Sequence, residues 1–168
     1  MPSLARVAVL SNPLEPNAGE FLRETRQAAQ ALGVHLQPFD IRAPRDLEGA
    51  MRAASREHAN GFTVLTDPVT LYGRVRLAEL AARHRLPGIY SERLFTEAGG
   101  LISYGASDRA MHRLAASFVD RILKGAKPSE LPVEQPRTYE LVINLKTARA
   151  LGLTIPPSLL ARADQVIE

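Results

Sequence analysis

The sequence predicts an α/β protein: a mostly parallel, doubly wound sheet of about five to six strands. Three observations point to it. Short apolar runs alternate with amphipathic stretches of helical period as far as about residue 124. Polar turns with Pro follow the runs, as at Ser11-Asn12-Pro13 and Thr66-Asp67-Pro68. At 168 residues, 45% apolar and 23% charged, the chain suffices for one well-buried domain and is short for two.

Taken in order, RVAVL at 6–10 is an apolar run of the kind buried on both faces of a sheet. The spacing predicts a helix over 18–32, with Phe21, Leu22, Ala28, Ala29 and Leu32 on its inner side and Gly33 closing it. Residues 34–39, VHLQPF, alternate as a strand, and Pro38 directs it to an edge or to a strand end. A helix over 46–58 follows, capped by Asp46, and FTVL at 62–65 is the third strand. A helix over 70–85 places Leu71, Val75, Ala78 and Ala81 inward, ahead of GIYS at 88–91. A short helix reaches Ala98, and LISYG at 101–105 is the fifth strand. Ser107 or Asp108 caps a helix to about 124 with an apolar stripe at Met111, Leu114, Ala115, Phe118 and Ile122. Residues 126–138 hold three prolines and read as an extended connection. YELVIN at 139–144 is the sixth strand, Asn144 caps a short helix, and a last short helix follows Pro156-Pro157.

Composition excludes several functions. The net charge is +3, with basic residues interleaved with acidic ones along the helices, so no nucleic-acid partner is expected. Aromatics are 5% with no Trp, too few for a base-stacking platform. There is no Cys, which removes disulfides, thiolate nucleophiles and Cys-ligated zinc. The four histidines fall one per element, so no metal site is expected. No apolar run reaches the ~18 residues of a membrane span. MPSLARVAVLSNP has no basic n-region ahead of an apolar h-region, so the chain as it stands reads as cytoplasmic.

Motifs for a cofactor are missing: no GxGxxG after the first strand, no GxxxxGK[ST], no GxSxG. The informative residues sit at strand ends. In a parallel sheet these ends share one rim, where open α/β proteins hold ligands. The rim candidates are Ser11, Asn12, Asp67, Tyr90, Ser91, Ser103 and Tyr104. They would bind a small polar ligand by directional hydrogen bonds, with Asp67 facing an ammonium group. Asn-Pro and Asp-Pro are also common turns and caps, so each residue alone reads first as structural, and the binding reading rests on the four polar strand ends taken together. Asp67 has no partner base or second carboxylate near it in sequence, which argues against catalysis.

The segments LTDP, AARHRLPGIYS and EAGGLISYG, and above all LKGAKPSELPVEQP followed by ELVINLKTARALGLTIPPSLLARADQVIE, resemble the ABC-transporter substrate-binding proteins of the tryptophan/tyrosine type. The resemblance implies a type I periplasmic-binding-protein fold, in which two Rossmann-like lobes close on an amino-acid-like solute and deliver it to a membrane permease. It also implies ligand contacts from the loops of Asn12, Asp67, Tyr90 and Tyr104, and a periplasmic or lipid-anchored location. The matching part is the second lobe and tail of that family. The implied organisation is a ligand-binding lobe over 1–106, a crossover helix and Pro-rich connection over 107–138, and a C-terminal completion of the same lobe over 139–168.

A lone lobe offers half a cleft, and weak binding is expected of it. The 107–124 stripe would lack the first lobe as its partner. It would dock on its own sheet, or pair in a homodimer with exchanged 107–138 segments. Three functions fit: a solute-binding lobe without catalysis, a stand-alone sensory or regulatory ligand-binding domain, and, least supported by the residues, a small doubly wound enzyme.

Overall fold

The structure is a computed structural model that describes residues 5–168. The first four residues of the expected leaderless start lie outside the described residues.

The elements run β1 (Arg6–Ser11), α1 (Ala18–Ala31), β2 (His35–Asp40), α2 (Asp46–Arg56), β3 (Gly61–Val64), α3 (Pro68–Tyr72), α4 (Arg74–His84), β4 (Gly88–Tyr90) and α5 (Arg93–Glu97). Then come β5 (Ile102–Ala106), α6 (Asp108–Leu123), β6 (Tyr139–Asn144), α7 (Leu145–Ala150), α8 (Pro157–Leu160) and β7 (Gln165–Ile167). One sheet of seven strands has the order β2-β1-β3-β4-β5-β6-β7. All neighbours are parallel except β5 and β6, which pair antiparallel.

The doubly wound, mostly parallel sheet agrees with the sequence, and β2 with Pro38 is an edge strand. The strand count is seven rather than five to six, because the tail adds β7. Its three residues are too few to show a period, and pairing with β6 alone selects the extended form.

Alternation along the strands divides the side chains between two faces. Ala8, Leu10, Phe62, Val64 and Tyr90 pack with Leu47, Met51, Leu77, Leu80 and Phe95 from α2, α4 and α5 into the main core. A second cluster of Leu101, Ile143, Ala148 and Ile155 lies under the C-terminal helices.

Three helix expectations are corrected. The helix over 70–85 is two helices, α3 and α4, which meet at Gly73. A Cβ there would lie 2.7 Å from Cδ1 of Leu47, so the absence of a side chain lets α2 pack close at the junction. The break resets the phase and leaves Val75 exposed while Leu77 and Leu80 are buried. In α1 only Ala29 is buried; Phe21 and Leu32 face outward. Asp46 is the first residue of α2 rather than its cap, and its carboxylate accepts from the Arg42 and Ala43 amides of the preceding turn.

The α6 helix buries no residue at all. Its root is tied down. The Ser107 side chain accepts from the Ala110 amide and donates to Glu140, and the Ser107 amide donates to the Thr138 carbonyl. Arg93 bridges Glu97, Glu140 and the Gln165 side chain, joining α5, β6 and β7 at the same place.

Candidate functional site

Four parallel strand ends and the start of α1 form one rim. β4 and β5 approach so closely there that a Cβ on Gly105 would stand 1.7 Å from the Ser91 carbonyl oxygen. Only glycine permits that contact.

Asp67 ends the loop after β3 and caps α3. Its Oδ1 accepts from the Thr70 amide (2.8 Å) and the Thr70 hydroxyl (2.6 Å), and the Asp67 amide donates back to Thr70 Oγ1 (3.0 Å). The other oxygen, Oδ2, accepts from Asn12 Nδ2 at 2.7 Å. Asn12 Oδ1 in turn accepts from the Leu14 amide at 3.0 Å. Both side chains are buried, so the pair locks the β1 and β3 loops together and keeps little free bonding capacity.

Beside this pair opens a cleft of roughly 540 Å³. Phe21, Glu24 and Thr25 of α1 form one wall, and Thr66, Ser91, Glu92 and Tyr104 the other. The Thr66 and Ser91 hydroxyls share a hydrogen bond of 2.9 Å. A smaller hollow, about 70 Å³, shares Phe21 and Thr66 with the cleft and adds Asn12, Glu15 and Asp67. The exposed Tyr104 ring stacks on Tyr139, with centroids 5.7 Å apart. The Glu92 carboxyl is held above the ordinary glutamate range, first by burial and then by the nearby Asp108 charge.

The cleft is acidic. Glu15, Glu24, Asp67 and Glu92 border the two hollows, and neither lining contains Lys or Arg. In a chain of net charge +3 this is a local inversion of sign.

Of the predicted site residues, Asn12 and Asp67 reach the small hollow, and Tyr90, Ser91 and Tyr104 border the large one, Tyr90 with its ring in the core beneath. Ser11 is buried next to Asn12 and borders neither. Tyr90 and Ser103 turn their side chains away, because they are paired in register and alternation sends both to the α5 face. The Tyr90 ring stacks on Phe95 at 4.8 Å and meets Phe62 edge-on at 5.6 Å. Burial pushes its phenol far above the ordinary tyrosine value. Ser103 Oγ is buried without a partner. The sequence reading omitted Glu15, Phe21, Glu24 and Glu92. Their signal was position: the first turns of α1 and the residue after Ser91 belong to the same rim.

Among the described residues, no group of three or more His, Cys, Asp or Glu is placed to hold a metal, and no helix is long and apolar enough to cross a membrane.

The doubly wound sheet carries its cleft at the carboxyl ends of the strands, where open α/β proteins hold ligands. The chain belongs to the family described as ABC transporter substrate binding protein, whose pattern it matches over residues 1–167. A conserved domain protein from Vibrio cholerae superposes with a TM-score of 0.89 at 26% identity, over 99% of this chain and 56% of that one. An ABC domain from Streptococcus pneumonia, solved in complex with L-Trp, superposes at 0.87 and 26% identity, over 99% of this chain and 58% of that one. The ligand-free, open form of CD0873, a substrate-binding protein with adhesive properties from Clostridium difficile, shares the fold at a TM-score of 0.77 and 19% identity, over 99% and 55%. The chain thus spans little more than half the length of these structures. No curated protein matches it.

Proposed function

We propose that the chain binds, without catalysis, a small amino-acid-like solute, and that it does so as one lobe of an ABC transporter's substrate-binding component that hands the solute to a permease. The observation that carries the ligand class is the acidic lining. Glu24 and Glu92 flank a cleft with no cation to neutralise them, so an ammonium group is the complementary charge. Phe21 and Tyr104 supply apolar and aromatic surface at the same opening, and Thr66 and Ser91 supply hydroxyls. Asp67 is engaged in its cap and in holding Asn12, which leaves it as scaffold rather than as a base. The L-Trp complex of the Streptococcus relative supports the same ligand class.

Thermal shift with L-tryptophan and with its N-acetyl derivative tests the reading. A ligand of the native state raises the melting temperature by mass action. L-tryptophan or another amino acid with a free ammonium group is expected to raise it, the N-acetyl form not, and Glu24→Gln is expected to abolish the difference. Equal shifts for the free and acetylated forms, or none with any amino acid, would overturn the assignment.

A further inference from the structure

Glu92 and Arg93 are neighbours of opposite charge, yet the fold keeps them apart. Glu92 stands in extended backbone just ahead of α5 and borders the ligand cleft. Its side chain makes no capping bond and forms no ion pair among the described residues. Arg93, the first residue of α5, borders neither hollow. Four of its five N–H groups are engaged elsewhere: Nε and Nη2 donate to Glu97 Oε1 at 3.0 and 2.7 Å, Nη1 to Glu140 Oε2 at 3.3 Å, and Nη2 again to Gln165 Oε1 at 2.8 Å. The other Glu140 oxygen accepts from the buried Ser107 hydroxyl, which fixes that carboxylate in turn. None of Glu97, Glu140 and Gln165 borders the cleft.

Helix support does not explain the arrangement. Within α5 the arginine comes first and the glutamate four residues later, the weaker order for such a pair and the reverse of what the helix dipole favours. Three elements, α5, β6 and β7, each supply an acceptor instead, and two carboxylates on one guanidinium outcompete a third. The effect reaches Glu92. A cation within about 4–6 Å lowers a carboxyl pKa by about 1–3. Glu92 lies above the ordinary glutamate range, by burial and by the Asp108 charge. The other ionisable groups at this place are Glu24 from α1, Tyr104 from β5 and Asp108 from α6, and none is a cation.

We propose that Glu97, Glu140 and Gln165 sequester the Arg93 guanidinium from Glu92, and that this keeps the cleft selective for cationic ligands. Arg93 is the cation next to the cleft wall in sequence. Freed from its acceptors, it has Glu92 as the adjoining carboxylate, and the bond it makes there cancels the charge that an ammonium group would meet. Glu97 and Glu140 are thus positioning residues, acting on the cleft through Arg93. The ligand selectivity rests on the ammonium reading above; the sequestration concerns only groups of this chain and is read without a ligand.

The first readout is the Glu92 carboxyl titration, followed by carbon NMR on the whole chain and assigned by its loss in Glu92→Gln. Arg93→Met is expected to move the Glu92 midpoint little in the unsubstituted chain. In the Glu97→Ala/Glu140→Gln variant the midpoint is expected to fall, and adding Arg93→Met there to raise it again by about one pH unit or more. The double and triple variants lack the same two carboxylates, so only Arg93 separates them. Equal effects of Arg93→Met in both backgrounds, or a triple variant that titrates like the double, would overturn the proposal. Glu97→Ala alone changes an exposed position and is expected to give a smaller fall in the same direction. Should the double variant not fold, absence of that fall overturns the proposal equally. The second readout is calorimetric affinity for L-tryptophan. It is expected to drop about fivefold in the double variant, the size of one unit-charge contact at about 4 Å in water, and to recover in the triple. If Glu92 moves as stated but the unsubstituted chain does not bind L-tryptophan, sequestration stands and the ammonium reading is what fails.

Discussion

Replacing Asp67 with alanine removes two separate supports, and the structure sets the size of the loss. Oδ1 caps α3 through the Thr70 amide and hydroxyl, and loss of such a cap costs about 1 kcal/mol. Oδ2 is the acceptor for Asn12 Nδ2, which is buried and would be left without a partner at a cost of about 1–3 kcal/mol. The sum is roughly 2–4 kcal/mol, and with a urea m-value near 2 kcal/mol/M the midpoint falls by about 1–2 M. Asn12→Ala alone removes the buried donor together with its acceptor contact, so the double variant should cost less than the two single variants added, by about 1 kcal/mol or more. Urea titration at one fixed chain concentration measures all three, which keeps any dimer contribution constant. A loss below about 0.5 kcal/mol for Asp67→Ala, the size of an ordinary surface change, would refute the reasoning and return Asp67 to the pool of ligand-facing carboxylates.

Two further outcomes follow from the same rim. Gly105→Ala drives a methyl into the Ser91 carbonyl oxygen, 1.7 Å away, so β4 and β5 must separate. A loss of about 3 kcal/mol or more in chemical denaturation is expected, above the range of simple overpacking because the obstacle is backbone. Glu92 is raised in the folded state by burial and by Asp108. Between its unfolded and folded pKa values the folded state therefore binds the extra proton, and stability falls as pH rises through that window. Glu92→Gln should remove that fall in a series of pH-dependent melting curves, and a slope identical to the unsubstituted protein would show that Glu92 is not its source.

The parallel core of the fold was legible because each strand from β1 to β5 is followed by a helix of the right period, and no competing pattern exists. β7 was not, because pairing with β6 rather than local preference makes it a strand. The split at Gly73 was hidden for a similar reason: the close approach that glycine permits there is to Leu47, a residue 26 positions earlier. At the site, sequence located the rim but not the direction of each side chain. Ser91 and Tyr104 line the cleft, whereas the side chains of Tyr90 and Ser103, one residue from each, point to the opposite face although Tyr90 itself borders the cleft. In so short a strand as β4, three residues long, the phase of the alternation is fixed only by what packs above it. The acidic character of the cleft was invisible for the opposite reason. Glu24 and Glu92 lie 68 positions apart and are brought to one opening only by the winding of the sheet.

The hydrogen bond from the Ser107 amide to the Thr138 carbonyl joins the two ends of a 30-residue excursion at the point where it leaves and re-enters the sheet. To the rest of the molecule, everything between those residues is a closed loop, held by its stem. Loop length enters folding free energy only logarithmically, so doubling or halving the excursion costs only about 0.6 kcal/mol. The segment can therefore change length and sequence while the sheet beneath it stays the same. A cut or an insertion between the two stem residues is thereby kept from the strand register, because one backbone clasp closes the sheet before the excursion begins.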